Sequence, residues 1–136
     1  MDFNYFDVFL AISTDNIKAL TDFYSQLLQK QPDVYRASIY TEFQLERLRI
    51  AIFKPKSENC REFKNLGSAM SLCIEVESID TAISTLKGLG FPPPGDIIEA
   101  SHGKEIYAFD PDGNRLILHE SKTNKKPETQ NISGGK

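Results

Sequence analysis

Four short stretches of this 136-residue chain carry side chains able to do chemistry, and in each stretch they recur at every second position. The first holds Asp7, Phe9 and Ala11. The second interleaves Arg49, Ala51 and Phe53 with Leu48, Ile50 and Ile52. The third sets Ser71, Cys73 and Glu75 against Leu72, Ile74 and Val76, and the fourth sets Arg115, Ile117 and His119 against Leu116 and Leu118. A period of two belongs to a β-strand with one face buried, so each reactive set shares the other face. The types present point to particular chemistry. Glu75 and His119 are candidate catalytic groups, able to move protons as general acid or base. Arg49 and Arg115 are suited to a carboxylate or phosphate, which a guanidinium clamps with two hydrogen bonds. Cys73 is a nucleophile if a neighbouring cation favours its thiolate. Asp7, Glu75 and His119 would hold a relocated metal ion if three strands bring their ends together. Each has a plainer reading. The two arginines neutralise Asp7 and Glu75. The aromatic residues pack where two halves of the chain meet or at a dimer seam, Cys73 is a buried, inert thiol, and His119 is partly solvated near a strand end. His102, within Ala100-Ser101-His102-Gly103, belongs to a turn and a surface.

The elements that position these residues occur twice. Residues 6–12 alternate as a strand, and Ser13, Thr14 and Asp15 offer a helix N-cap. Ile17, Leu20, Tyr24, Leu27 and Leu28 then recur at helical spacing, which predicts a helix of about 15 residues bounded by Pro32. Strands follow at 34–38, 41–45 and 48–53, and residues 54–67 read as a polar connection containing Pro55. The pattern restarts with a strand at 71–76, a cap at Ser78 and a helix face of Ile79, Ala82, Ile83 and Leu86 that ends at Gly88 and Gly90. Pro92-Pro93-Pro94-Gly95 is a stiff breaker. Strands at 96–100, 105–109 and 115–119 complete the second set. Asp110-Pro111-Asp112-Gly113-Asn114 turns the last two into a hairpin. Ile12 and Val76 close the two leading strands about half the ordered length apart, a sign of duplication.

These patterns predict an α+β fold of two βαβββ modules, residues 5–54 and 69–120, within one domain spanning 1–120. One helix covers one face of a four-stranded sheet, so each module keeps an open face. Two open faces can join into a curved, half-open sheet around a cleft, with the helices on the outer side. Residues 121–136 have almost no apolar side chain and read as a disordered tail.

Composition excludes several classes. The chain is 40% hydrophobic and 26% charged, ordinary for a soluble domain. A net charge of −3 gives no electrostatic reason to bind nucleic acid. Tyr35, Arg36, Tyr40, Phe43, Arg47 and Arg49 interleave basic and aromatic residues, but Glu42 and Glu46 sit among them. No apolar run is long enough to span a membrane. The first residues lack the basic start and apolar run of a signal peptide, which predicts a cytoplasmic protein. Cys60 and Cys73 form no disulfide or metal spacing.

One set of motifs adds a family resemblance. Phe109 followed by Asp110-Pro111-Asp112-Gly113-Asn114 and a short apolar strand resembles the end of a vicinal oxygen chelate domain. So do Thr14-Asp15-Asn16 with Phe23-Tyr24 in the first module and Ile74-Glu75-Val76 with Ile79-Asp80 in the second. That superfamily includes glyoxalase I, extradiol dioxygenases and bleomycin-resistance proteins. The resemblance covers residues 6–120 and implies the paired βαβββ fold. In the superfamily's enzymes it also implies a divalent metal held on the open face. Those ligand positions fall here on Asp7, Ser71, Ala51 (or Arg49, with the register shifted by two) and Ile117. Alanine and isoleucine cannot coordinate, neutral serine is a poor ligand, and one carboxylate does not hold a divalent ion against water. The expectation is therefore no metal and no cofactor.

The resulting reading is a metal-free small-molecule-binding protein of the glyoxalase/bleomycin-resistance type. Its ligand-binding residues are Asp7, Phe9, Arg49, Phe53, Ser71, Cys73, Glu75, Arg115 and His119, and the resemblance implies a homodimer. The ligand is a small organic molecule, partly aromatic or apolar, and anionic where Arg49 and Arg115 are free. Two alternatives stand beside it. One is an enzyme, a lyase, isomerase or dioxygenase with a relocated metal or an acid–base site on Glu75 or His119. The other is an interaction subunit whose cleft is filled by its own side chains.

Overall fold

Alternation at period two and apolar residues at helical spacing give the same order of elements in both halves of the chain. The computed structural model describes residues 4, 7–63 and 70–122, and the chain divides into two units, Met1–Gly67 and Ser68–Lys136. The first contains β1 (Leu10–Ser13), α1 (Ile17–Leu28), β2 (Val34–Arg36), β3 (Tyr40–Gln44), β4 (Arg49–Phe53) and a 3-10 helix at Ser57–Phe63. The second contains β5 (Leu72–Glu75), α2 (Ile79–Leu89), β6 (Ile98–Ala100), β7 (Gly103–Phe109) and β8 (Arg115–Ser121).

Each unit has one four-stranded mixed sheet. The strand orders are β1-β4-β3-β2 and β5-β8-β7-β6. In both, the leading strand runs parallel to the closing strand and the other neighbours are antiparallel. The fold is α+β with two βαβββ modules, as the sequence implies. Among the described residues no helix is long and apolar enough to cross a membrane.

Local chemistry explains where the elements differ from expectation. The cap of α1 is Asn16, not one of the three residues before it. Its side-chain oxygen accepts from the Ala19 amide at 3.1 Å, and Thr14 Oγ1 accepts from the Asn16 amide at 2.9 Å. The helix has 12 residues because Gln29 adopts the left-handed conformation, φ 55°, ahead of Pro32. Ser78 caps α2 as expected, and Gly90, at φ 92°, ends it. Glu120 adds a second device, its Oε1 accepting from the Ile79 amide at 2.8 Å. A carboxylate at a helix N-terminus is electrostatically favourable. The polar connection after β4 is not plain coil, since Ser57–Phe63 winds into the 3-10 helix. The closing strand β8 continues through Ser121, the first residue of the expected tail, and residues 123–136 lie outside the described residues.

The cores lie between each helix and one sheet face. Leu20 and Tyr24 of α1 are fully buried, as are Phe43, Ile50 and Ile52 of the first sheet. Thr21 and Thr41 share a buried hydrogen bond at 2.7 Å, satisfying both hydroxyls. In the second unit Ile79 and Leu86 of α2 are buried with Ile106, Ala108, Leu116 and Leu118 of β7 and β8.

The turn from Asp110 to Asn114 is built on one side chain. Buried Asp110 accepts from the amides of Asp112 and Asn114, both at 2.9 Å, and from Asn114 Nδ2 at 2.8 Å. Replacing Asp110 by alanine leaves three donors without that acceptor. We expect a loss of about 1–3 kcal/mol, read as a lower urea midpoint at unchanged slope.

Asp33 offers a milder test on the surface. The Gln44 amide and then the Lys30 ammonium hydrogen-bond its carboxylate and hold its pKa below the ordinary carboxylate value. A depressed folded-state pKa contributes stability above the unfolded-state pKa and loses it as pH falls through the folded one. Carboxyl-detected NMR titration should give a midpoint below that of an Asp33-containing peptide, and Asp33→Asn should flatten the acid limb of stability.

Candidate functional site

Each unit is described by itself. The strand expected at residues 6–12 is observed only as β1 from Leu10, so Asp7 and Phe9 precede it and Ser71 precedes β5, while Ala11, Arg49, Ala51, Phe53, Cys73, Glu75, Arg115, Ile117 and His119 lie on strands, at positions alternating with the helix-covered ones. In the first unit β1, β3 and β4 place Ala11, Glu42 and Ala51 in one row across the sheet, with Ser13, Tyr40 and Phe53 in another. Arg49, at the start of β4, dominates this face. It is ion-paired with Asp7, its Nη1 lies 3.9 Å from Glu42 Oε1, and its guanidinium sits 3.9 Å from the centre of the Phe9 ring. A guanidinium over an aromatic face gains from the ring quadrupole. Tyr40 donates to Glu42 at 2.8 Å, and burial and then this carboxylate push its pKa up. Phe53 packs edge-on against Phe63, with centroids 5.2 Å apart. Arg49 is thus already neutralised, and the sequence reason for an anionic ligand falls away at this residue.

Phe43 belongs to a different face from its basic and aromatic neighbours. It is fully buried under α1, while Arg36 lies 5.9 Å over the Tyr40 ring. The interleaved residues of β2 to β4 therefore make no continuous stacking platform.

In the second unit the parallel register of β5 and β8 decides who meets whom. Leu72 is opposite Leu116 and Glu75 is opposite His119, so Ser71 falls beside Arg115. Arg115 Nε donates to Ser71 Oγ at 2.8 Å, and Glu75 takes His119 instead of the arginine expected for it. Both Glu75 oxygens lie 2.9 Å from His119 Nδ1. Cys73 is in register with Ile117 and is exposed, contrary to the buried thiol expected. The antiparallel pairing of β7 puts Glu105 on the other side of His119 and Tyr107 beside Ile117.

His102 lies in a turn and is exposed, as its sequence context implies, but its contact with His119 was not foreseen. Its Nδ1 lies 3.0 Å from His119 Nε2, and the two rings are 5.0 Å apart at 36°. The turn carrying it is clamped to the end of β8, where the Lys122 amide donates to the His102 carbonyl at 3.1 Å. The signal available in the sequence was the hairpin register counted back from Asp110, which brings the start of β7 to the end of β8. A recess of about 170 Å³ next to this turn is lined by Glu99, Lys104, Glu120 and Lys122 among others. It is smaller than the roughly 300–1,000 Å³ usual for a small-molecule site.

Searches of solved structures place this architecture. A glyoxalase/bleomycin resistance protein/dioxygenase family enzyme from Burkholderia phytofirmans PsJN superimposes with a TM-score of 0.70 at 17% identity, over 82% of this chain and 94% of that one. The chain has the glyoxalase/bleomycin-resistance fold. A glyoxalase/bleomycin resistance protein/dioxygenase from Nocardioides gives 0.68 at 19% identity, over 93% of this chain and 90% of that one. A glyoxalase/bleomycin resistance protein from Catenulispora acidiphila DSM 44928 gives 0.61 at 18%, over 85% and 97%. No sequence family matches the chain, and no curated protein sequence matches it.

The metal that the resemblance implies for enzymes of this glyoxalase-type fold does not fit the side chains at its four positions. Ala51 and Ile117 carry no donor atom, Asp7 is held by Arg49, and Ser71 Oγ accepts from Arg115. The members of the relocated set have other partners within their own units. Asp7 pairs within the first unit and Glu75 with His119 in the second. Among the described residues no three His, Cys, Asp or Glu side chains are placed to hold an ion.

Proposed function

We propose that the chain is a small-molecule-binding protein of the glyoxalase/bleomycin-resistance type, working without a metal. Its ligand is a small organic molecule held against the sheet faces that the helices leave uncovered. The observation that carries the reading is the composition of those faces. Donorless Ala51 and Ile117 stand where a metal enzyme would place ligands, and Phe9, Phe53 and Tyr107 supply apolar contact beside a few fixed polar groups. Apolar contact beside oriented polar groups is what small organic ligands select. With Arg49 bound to Asp7 and Glu42, an anionic group on the ligand is not specifically favoured in the first unit.

An amide-detected NMR fragment screen on the full chain tests this. Shifts should cluster at Phe9, Arg49, Cys73, Tyr107, Ile117 and His119. Shifts confined to the helices, or none at all, would sink the reading. The same reading takes the chain as a homodimer, to which exposed Val8, Ile39 and Met70 offer apolar surface. Light scattering should then report twice the 15.4 kDa chain mass.

A second reading, a metal-independent acid–base enzyme, draws on the Glu75–His119 contact, since a carboxylate that orients an imidazole is a recurring device for proton transfer. Turnover abolished by His119→Ala at unchanged stability would favour it over simple binding.

A further inference from the structure

Arg49 is held by a piece of chain that belongs to no regular element. Residues 7–9 precede β1 and are neither helix nor strand. The parallel pairing of β1 with β4 starts with Leu10 opposite Ile50, so it stops one residue short of Arg49. From there side chains take over. Asp7 is ion-paired with the guanidinium, and the centre of the Phe9 ring lies 3.9 Å from its Cζ, while Val8 between them is exposed.

A carboxylate on the donors of a guanidinium and a benzene ring on its face are the two halves of an aryl carboxylate. Asp7 and Phe9 present to Arg49, from two side chains, what such a ligand presents from one molecule. Their hold is light. The Asp7 side chain is 48% exposed and Phe9 is 45% exposed. Ion pairs and cation–π contacts at such exposure are weak.

The charges around Arg49 decide what replaces them. Glu42 Oε1 lies 3.9 Å from Nη1 and accepts from Tyr40 at 2.8 Å, and Arg36 lies 5.9 Å over the Tyr40 ring. Gln44, opposite Arg49, is neutral, and Asp33 at its amide is paired with Lys30. Glu46 and Arg47, in the connection before β4, contribute one charge of each sign. With Asp7 in place the two arginines meet two carboxylates, Asp7 and Glu42. With Asp7 withdrawn one positive charge is left over, so an anion is the group that restores the balance.

We infer that Asp7 and Phe9 form a displaceable strap over a site on Arg49 for a small aromatic carboxylate, which exchanges its carboxylate for Asp7 and its ring for Phe9. This refines the small-molecule reading for the first unit and rests on it. The strap competes with the ligand, so the apparent affinity is reduced by the fraction of molecules in which it is open.

The test uses the full chain and two probes of one shape, 4-methylbenzoate and the neutral 4-methylbenzamide. Asp7→Ala/Phe9→Ala should bind 4-methylbenzoate about tenfold tighter than the unchanged chain, with a smaller gain for 4-methylbenzamide. Adding Arg49→Gln to that pair should abolish the gain. In the unchanged chain, saturating 4-methylbenzoate should lower the amide order parameters of Val8 and Phe9 as the strap is released. Unchanged benzoate affinity in the double variant, an equal gain for the amide, a gain that survives Arg49→Gln, or a strap that stays ordered at saturation would each overturn the inference. Any of these with fragments still bound to the sheet faces leaves the small-molecule reading standing, whereas a fragment screen with no binding at all removes that reading itself.

Discussion

Gly103→Ala should be among the most damaging single substitutions in the second unit. Gly103 has φ +144°, outside the range L side chains adopt easily, and it begins β7 opposite Ser121. A Cβ there would sit 2.2 Å from the Glu120 carbonyl oxygen and 3.0 Å from the Lys122 amide nitrogen. Both are backbone atoms at and just beyond the end of β8, so the hairpin must open to make room. Strain and overpacking together should cost about 3 kcal/mol or more, a fall in Tm of roughly 10 °C. The consequence reaches the site. His102 is the residue before Gly103, and its carbonyl is held by the Lys122 amide. An alanine that pushes β7 from β8 should separate His102 from His119. Histidine NMR of any folded Gly103→Ala protein should show the two rings uncoupled, and native-like coupling with unchanged Tm would contradict the geometry.

Leu20→Ala should damage the first unit comparably. Leu20 has no exposed surface and lies on the face of α1 that covers the first sheet, where Phe43, Ile50 and Ile52 are equally buried. Removing three carbons from such a site costs their transfer free energy and leaves a cavity, about 2–5 kcal/mol together. Chemical unfolding should show a lower midpoint. Leu20→Met, which conserves volume, should lose less than about 1.5 kcal/mol. Equal losses in both variants would mean that α1 does not pack through this residue.

The order of elements and the shared faces were legible because both rest on short-range periodicity. Leu10 and Ile12, Ile50 and Ile52, Leu72 and Ile74, and Leu116 and Leu118 alternate strictly, and every pair lies on the helix-covered face by the observed register. The start of α1 was less legible because Ser13, Thr14, Asp15 and Asn16 all have capping chemistry, and only the turn geometry selects Asn16. The partners of charged residues were least legible. Arg115 was expected on Glu75, but a parallel pair with Leu72 opposite Leu116 sends it to Ser71. Glu120 reaches the first amide of α2 across 41 positions, and His102 meets His119 across 17. Neither contact leaves a periodic trace. They follow from register, which a single sequence fixes only after the hairpins have been drawn.

Elemental analysis and native mass spectrometry of protein purified without an affinity tag test metal-independent small-molecule binding most directly. Less than about 0.1 equivalent of any transition metal, with a bound small organic mass retained or acquired from a fragment mixture, is the predicted result. About one equivalent of metal, lost in Asp7→Ala or His119→Ala, would contradict the account and make this chain an enzyme with a rebuilt centre.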